Sequence, residues 1–165
     1  MTNAGEVQVT AQGEREIVVT RVFDAPRRLV FEAWTKPELL KRWLGAWGGW
    51  SLAVCELDPR PGGGYHFGWR HEAEALAMDV RGVYREFKPP EKIVNTERFD
   101  EPWYPGEALI TTAFTEQGGR TTVTMTLRYE SRAARDGVLK SPMESGLGES
   151  LAALARLLKK VDGGS

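Results

Sequence analysis

Apolar and polar residues along the chain change period twice, and the changes divide it into three zones. The first zone opens with "REIVVTRVF" (15–23), a run rich in β-branched residues and of strand length. In "DAPRRLVFEAW", Leu29, Val30, Ala33 and Trp34 recur at helical spacing, with Asp24 placed to cap the helix and Pro26 in its first turn. "TKPELLKRWL" repeats the device: Thr35 as cap, Pro37 early, and Leu39, Leu40 and Trp43 on one side, ending at Gly45. The pattern predicts one strand followed by two short helices.

The second zone is a succession of strands. "WSLAVCELD" stops at the turn "PRPGGG", and "YHFGWR" places Tyr65, Phe67 and Trp69 on one face at period two. A loop, "RHEAEALAM" (70–78), leads to "MDVRGVYREF", which ends at "KPP"; "KIVNTERF" ends near "DEPWYPG". "EALITTAFTE" and "TTVTMTLRYE" flank "QGGR", a compact hairpin turn. No helical segment interrupts these strands, so they predict an antiparallel meander.

The third zone is helical. "SRAARDGVLK" starts at Ser131 as a short helix. "SPMESGLGESLAALARLLKKV" then opens with Ser141, Pro142 and Glu144 in a capping-box arrangement. Met143, Leu147, Leu151, Leu154, Leu158 and Val161 form one apolar stripe. The order predicts an α+β fold in which a single-striped helix lies on one face of a strongly curved antiparallel sheet. Residues 1–14 read as a flexible tail, 15–161 as one domain, and 162–165 as a disordered end.

Composition narrows the function classes. The 165 residues are 41% hydrophobic and 27% charged, with formal net charge −1. That balance leaves no electrostatic footprint for nucleic acid or an anionic membrane. No apolar run reaches the roughly 18 residues of a membrane span. The N-terminus lacks the pattern of a secretory signal, and the single cysteine, Cys55, suits a reducing cytoplasm.

The candidate chemistry centres on "KRWLGAWGGW" (41–50), where three of six tryptophans, Trp43, Trp47 and Trp50, are separated by glycines. Two readings stand: the rings plug the core and sheet edge, or they form a glycine-hinged lid over a pocket. Ile110, Thr112 and Phe114 share one strand face, as do Val123, Met125 and Leu127. Gly146 and Gly148 lie inside a helix, where each costs about 1 kcal/mol relative to alanine. They either allow close approach to the sheet or leave room for a ligand.

Glu97 shares parity with Ile93 and Phe99, so it faces inward if they do, and it then needs a partner such as Arg21 or Arg81. It is a structural ion pair, a solvent-facing residue, or a polar anchor or acid/base within a pocket. Of the two histidines, His66 is expected outside and His71 opens the loop. Two histidines without a cysteine pair make a poor metal set, so no metal or other cofactor is expected. Cys55 reads as a small buried hydrophobe, and the glycines of "RPGGG" as a turn and not a phosphate cradle.

Five segments together resemble a known family: "REIVVTRVFDAPRRLVFEAWTKPELLKRWLG", "CELDPRPGGGYHF", "GVYREFKPPEKIVNTERF", "GGRTTVTMTLRY" and "RDGVLKSPMESGLGESLAALARLL". They look like the Activator of Hsp90 ATPase homologue-like group of the START-like superfamily (also called SRPBCC or Bet v 1-like), over residues 15–161. The resemblance implies a helix-grip fold with an apolar cavity between a curved sheet and the C-terminal helix. Three departures stand out: Trp43-Leu44-Gly45-Ala46 where the family often has Trp-Trp-Gly-Pro, Leu147 where an aromatic is common, and the alanine- and histidine-rich loop 70–78. All three fall at the expected mouth or floor of the cavity, so no relative's ligand is carried over.

With that fold, the expected ligand site takes Trp43, Trp47 and Trp50 at the entrance. Tyr65, Phe67, Trp69 and Met78 line one wall; Glu97, Phe99, Ile110, Thr112 and Met125 line another; and Met143 and Leu147 come from the helix. The leading function is a single-domain carrier or sensor of a small hydrophobic or aromatic molecule, lipid- or polyketide-like. A cyclase, aromatase or hydrolase is the alternative, with Glu97 helped by His71 or Tyr84. A second alternative, implied by the family name, is a co-chaperone of an Hsp90-type ATPase. In the eukaryotic co-chaperone this fold follows a separate domain, which residues 1–14 cannot supply. A homodimer is a further alternative to a monomer.

Overall fold

A computed structural model describes residues 6–45 and 47–163. Strand β1 (Gln8–Gln12) precedes β2 (Glu16–Phe23), helix α1 (Arg27–Thr35) and helix α2 (Pro37–Trp43). Six strands follow: β3 (Trp50–Leu57), β4 (Gly64–His71), β5 (Leu76–Lys88), β6 (Lys92–Phe99), β7 (Ala108–Gln117) and β8 (Arg120–Arg128). Helices α3 (Arg132–Lys140) and α4 (Met143–Gly163) complete the chain. All strand pairs are antiparallel, in one eight-stranded sheet of order β1-β2-β8-β7-β6-β5-β4-β3. This is a helix-grip α+β fold.

Local chemistry accounts for the bends. Gln117 pairs with Arg120, leaving a two-residue turn of Gly118 and Gly119, both at positive φ. That is the turn whose twist matches antiparallel strands. Register shifts between Leu52 and Val54 and between Tyr84 and Glu86 add curvature at one end of the sheet. The concave face carries Ile17, Val19, Ile110, Phe114, Val123 and Leu127, all buried.

Against that face α4 shows two environments. Leu151, Leu154, Leu157 and Leu158 in its middle and second half are buried, whereas Met143 and Leu147 in its first two turns are only partly covered. Helices α1 and α2 close the sheet at the sealed end. Trp43 is 1% exposed there; its ring lies 4.7 Å from Trp34, and its Nε1 donates to the Ala33 carbonyl at 3.0 Å. Trp43 is therefore a core residue and not part of a cavity entrance.

Several local expectations are corrected. The tail expected over residues 1–14 contains β1, which pairs with β2 from Gln8–Thr20 to Gln12–Glu16. A ladder needs only backbone groups, so a polar edge strand carries a tail-like composition. Asp24 does not cap α1: Pro26 occupies the cap position and Asp24 lies 3.7 Å from Arg120. Thr35 does not cap α2; its hydroxyl donates back to the Phe31 and Glu32 carbonyls, and Lys36 is the cap. Likewise the Ser141 hydroxyl donates to the Val138 carbonyl, closing α3 in place of capping α4. Ser131 does cap α3, accepting from the Ala134 amide at 3.0 Å.

The expected loop 70–78 is mostly strand, because β4 runs to His71 and β5 starts at Leu76. Helix α4 continues to Gly163, past the expected domain end. Residues 1–5, 164 and 165, and Ala46 in the tryptophan segment, lie outside the described residues.

Burial separates the tryptophans energetically. Trp43→Ala is expected to cost about 3–5 kcal/mol of unfolding free energy. Trp47→Ala, at a residue 43% exposed, is expected to stay within about 0.5 kcal/mol. Urea denaturation of the two variants checks the contrast.

Candidate functional site

Where the first turns of α4 stand off from the sheet, three apolar chambers follow one another inward. The outer one, ≈ 700 Å³, is bounded by Trp50, Leu76, Met78, Phe99 and Trp103, with Met143 and Leu147 of α4 opposite. A middle chamber of ≈ 280 Å³ shares Trp50, Met78, Gly146 and Leu147 with it and adds Trp47, Trp69 and Ser150. The inner chamber, ≈ 140 Å³, shares Leu44 and Trp69 with the middle one. Tyr65, Phe67 and Trp69 of β4 form one of its walls, and Ile110, Thr112 and Met125 of β7 and β8 form another. Tyr84 and Glu97 also line it.

Apart from Trp43, every residue expected to bind ligand therefore lies on one of these chambers. The tryptophan segment is positioned by specific contacts. Trp69 Nε1 donates to the Leu44 carbonyl at 2.9 Å, and the Gly45 amide donates to Ser150 Oγ at 2.9 Å. Gly45 has φ +71°, and a Cβ there would sit 2.2 Å from Trp69 Nε1. The glycine is required for that approach, which a side chain would block. Gly146 differs: a Cβ there would meet only the Trp47 ring, at 3.5 Å, an ordinary contact, so a methyl group fits without a clash.

Among the described residues Glu97 is the one carboxylate on the inner chamber. Neither expected arginine reaches it. Arg21 sits on β2, separated from β6 by two strands, with its guanidinium 4.6 Å from the Phe23 ring centre. Arg81 is paired with Arg98 across the ladder, hence on the opposite face from Glu97, and binds Asp100 at 3.0 Å. The partner is Tyr104, whose hydroxyl donates to Glu97 Oε1 at 2.9 Å. Burial holds the Glu97 carboxyl above the usual range, and the Tyr104 hydrogen bond draws it partly back.

Tyr104 escaped the sequence reading because it lies in "DEPWYPG", taken only as the end of a strand. It is 5% exposed and packs edge-on against Phe99 and Tyr129. The available signal was a Trp-Tyr pair inside a segment bounded by proline and glycine. Nearby, the Tyr65 hydroxyl donates to the Thr96 carbonyl and accepts from Asn95 Nδ2 at 3.1 Å. Burial pushes the Tyr65, Tyr84, Tyr104 and Tyr129 phenols upward, so all four remain neutral donors at ordinary pH.

The expected catalytic group is not assembled. His71 lies at the tip of the β4–β5 hairpin, its Nε2 3.1 Å from the Gly48 carbonyl oxygen and its Nδ1 accepting from the Glu74 amide at 3.3 Å. Tyr84 packs against Tyr65 and Phe87. Neither is hydrogen-bonded to Glu97 among the described residues. His66 is on the convex face, 2.6 Å from Asp79, which also binds Arg70 at 2.8 Å. Those contacts, the His66 hydrogen bond foremost, hold the Asp79 carboxyl below its usual range. Cys55 is partly buried, and burial raises its thiol. No helix among the described residues is long and apolar enough to cross a membrane.

A curved antiparallel sheet, a gripping C-terminal helix and a cavity between them define a domain of the START-like class. The match extends over residues 24–159 to the family described as Activator of Hsp90 ATPase homolog 1-like protein, and the chain belongs to that family. Among solved structures it is similar to a Rhodobacter sphaeroides protein, with 29% identity, TM-score 0.87, and 93% of this chain and 97% of that chain covered. A Chromobacterium violaceum protein is 27% identical with TM-score 0.72, covering 88% and 97%. A Staphylococcus epidermidis protein is 25% identical with TM-score 0.78, covering 91% and 93%. No curated protein matches the chain.

The Glu97 environment sets a pH dependence. A carboxyl raised in the folded state contributes stability that is complete below its unfolded value, about 4.3, and is lost as pH rises through the folded value. Glu97→Gln is therefore expected to gain stability relative to the parent as pH goes from about 4 to about 8. Denaturation midpoints at both ends of that range check the sign. Separately, Gly146→Ala is expected to raise stability by up to about 1 kcal/mol, because the helix gains a better former and the added methyl meets no closer than ordinary contact. Thermal unfolding measures it.

Proposed function

We propose that the chain is a single-domain binder of a small hydrophobic or aromatic molecule, held between sheet and C-terminal helix as a carrier or sensor. The observation that carries this reading is the run of three chambers with shared walls, from an open mouth to the Glu97 carboxyl. The outer chamber's ≈ 700 Å³ falls within the roughly 300–1,000 Å³ of small-molecule sites.

Exposed apolar surface supports the same reading. Trp47, Leu76, Met78 and Trp103 are 40–46% exposed, and all four border the outer or middle chamber. Clustered large apolar groups at one rim mark a place where something else is bound. A ligand that covers them while filling the mouth removes apolar area from water at roughly 25 cal/mol per Å².

Tryptophan emission reports on the site directly, since Trp47, Trp50, Trp69 and Trp103 border it. Titration with neutral flavonoids and fused-ring aromatic alcohols is expected to shift or quench that emission saturably and to raise the melting temperature. Gly146→Leu, which fills the space beneath Trp47, is expected to weaken binding by about ten-fold or more while remaining folded. A parent protein whose emission and melting temperature ignore every hydrophobic class overturns the proposal.

A further inference from the structure

The three chambers are one-sided in charge. Among the described residues no lysine, arginine or histidine lines any of them, whereas Asp79, Asp100 and Glu101 border the mouth and Glu97 the inner chamber. Asp79 and Asp100 turn their carboxylates to the convex face, where His66, Arg70 and Arg81 bind them, so the charge facing the chambers is that of Glu101 and Glu97. Glu101 has no ion pair among the described residues, and the inner carboxyl meets only a phenol. An anionic head entering here would lose its hydration with no cation to replace it, and would approach a carboxyl of like character.

We infer that the ligand carries an aromatic ring bearing a basic nitrogen, which enters the inner chamber and pairs with Glu97, and that anionic amphiphiles are excluded; this rests on the binding function proposed above. The inner chamber's ≈ 140 Å³ is close to the roughly 150 Å³ apolar cavity that accepts one benzene ring. Its walls offer that ring Tyr65, Phe67, Trp69 and Tyr84. The longer part of the molecule then occupies the middle and outer chambers.

The carboxyl geometry selects the head group. Oε1 already accepts from Tyr104, and Oε2 has no protein partner among the described residues. A basic nitrogen suits that free oxygen in either protonation state of Glu97. As an ammonium it donates to the carboxylate; as a free base it accepts the acid's proton, leaving a carboxylate and an ammonium in contact. An alcohol forms the hydrogen bond without the charge, and a carboxylate can accept one only from the protonated acid, leaving its own negative charge with no cation beside it.

Calorimetric titration of the full chain with naphthylmethylamine, naphthalenemethanol and naphthoate tests the inference on one ring system. The amine is expected to bind at least about ten-fold more tightly than naphthoate. Glu97→Gln is expected to bring those two within about three-fold. Tyr104→Phe, which keeps the carboxyl, is expected to retain the amine preference. Naphthoate binding as well as the amine in the parent protein, or a preference that survives Glu97→Gln or vanishes in Tyr104→Phe, overturns the inference and leaves the carrier reading standing. Failure of all three compounds to bind overturns both. The parent comparison decides alone if a variant does not fold.

Discussion

A single apolar helix stripe set against a wide concave sheet cannot be in contact with it along its whole length. Strand twist and two register shifts bow the sheet away from part of α4. Its later turns seal the fold through Leu151, Leu154, Leu157 and Leu158. Its first turns, through Gly146 and Leu147, border the outer and middle chambers. Stability and cavity are thus allotted to different stretches of the same helix, and the tryptophan-bearing segment crosses between them.

That segment shows how close packing and an opening coexist. Trp43 fills the sealed end beside Trp34 and satisfies its indole nitrogen on Ala33. A few residues on, Gly45 lets the chain turn directly onto Trp69, whose indole is tied to the Leu44 carbonyl. Leu44 and Trp69 then border both the middle and the inner chamber. The glycines supply close approach and left-handed backbone, so the aromatic rings beside them hold definite positions and still border empty volume.

The inner chamber joins apolar walls to a single acidic group and a row of neutral phenols. Desolvation raises both the carboxyl and the hydroxyls, so the Glu97–Tyr104 pair resists ionisation while keeping one carboxyl oxygen unclaimed by protein. The convex face handles charge differently: His66, Asp79 and Arg70 satisfy one another in contact with solvent. Polarity inside the grip is sparse and unpaired with cations, and polarity outside it is dense and balanced.

Period-two and period-3.6 patterning sufficed to place the two short helices, seven of the eight strands in near-correct positions, and the stripe of α4, because those signals live in neighbouring residues. The same alternation put Tyr65, Phe67 and Trp69 on one wall and Ile110, Thr112 and Met125 on another. It did not reveal β1, whose pairing uses backbone groups that any side chain permits, and it assigned helix N-caps to Asp24, Thr35 and Ser141 that the structure does not form, because capping depends on where a hydroxyl or carboxylate points. Glu97 was legible as an inward carboxyl, but its partner was not, because Tyr104 reaches it from a loop and Arg81 is turned away by its register with Arg98. Local sequence determined which residues face the hollow; only the tertiary structure decided that the hollow stays open, since that depends on how far a bowed sheet and a helix that follows its last strand stand apart.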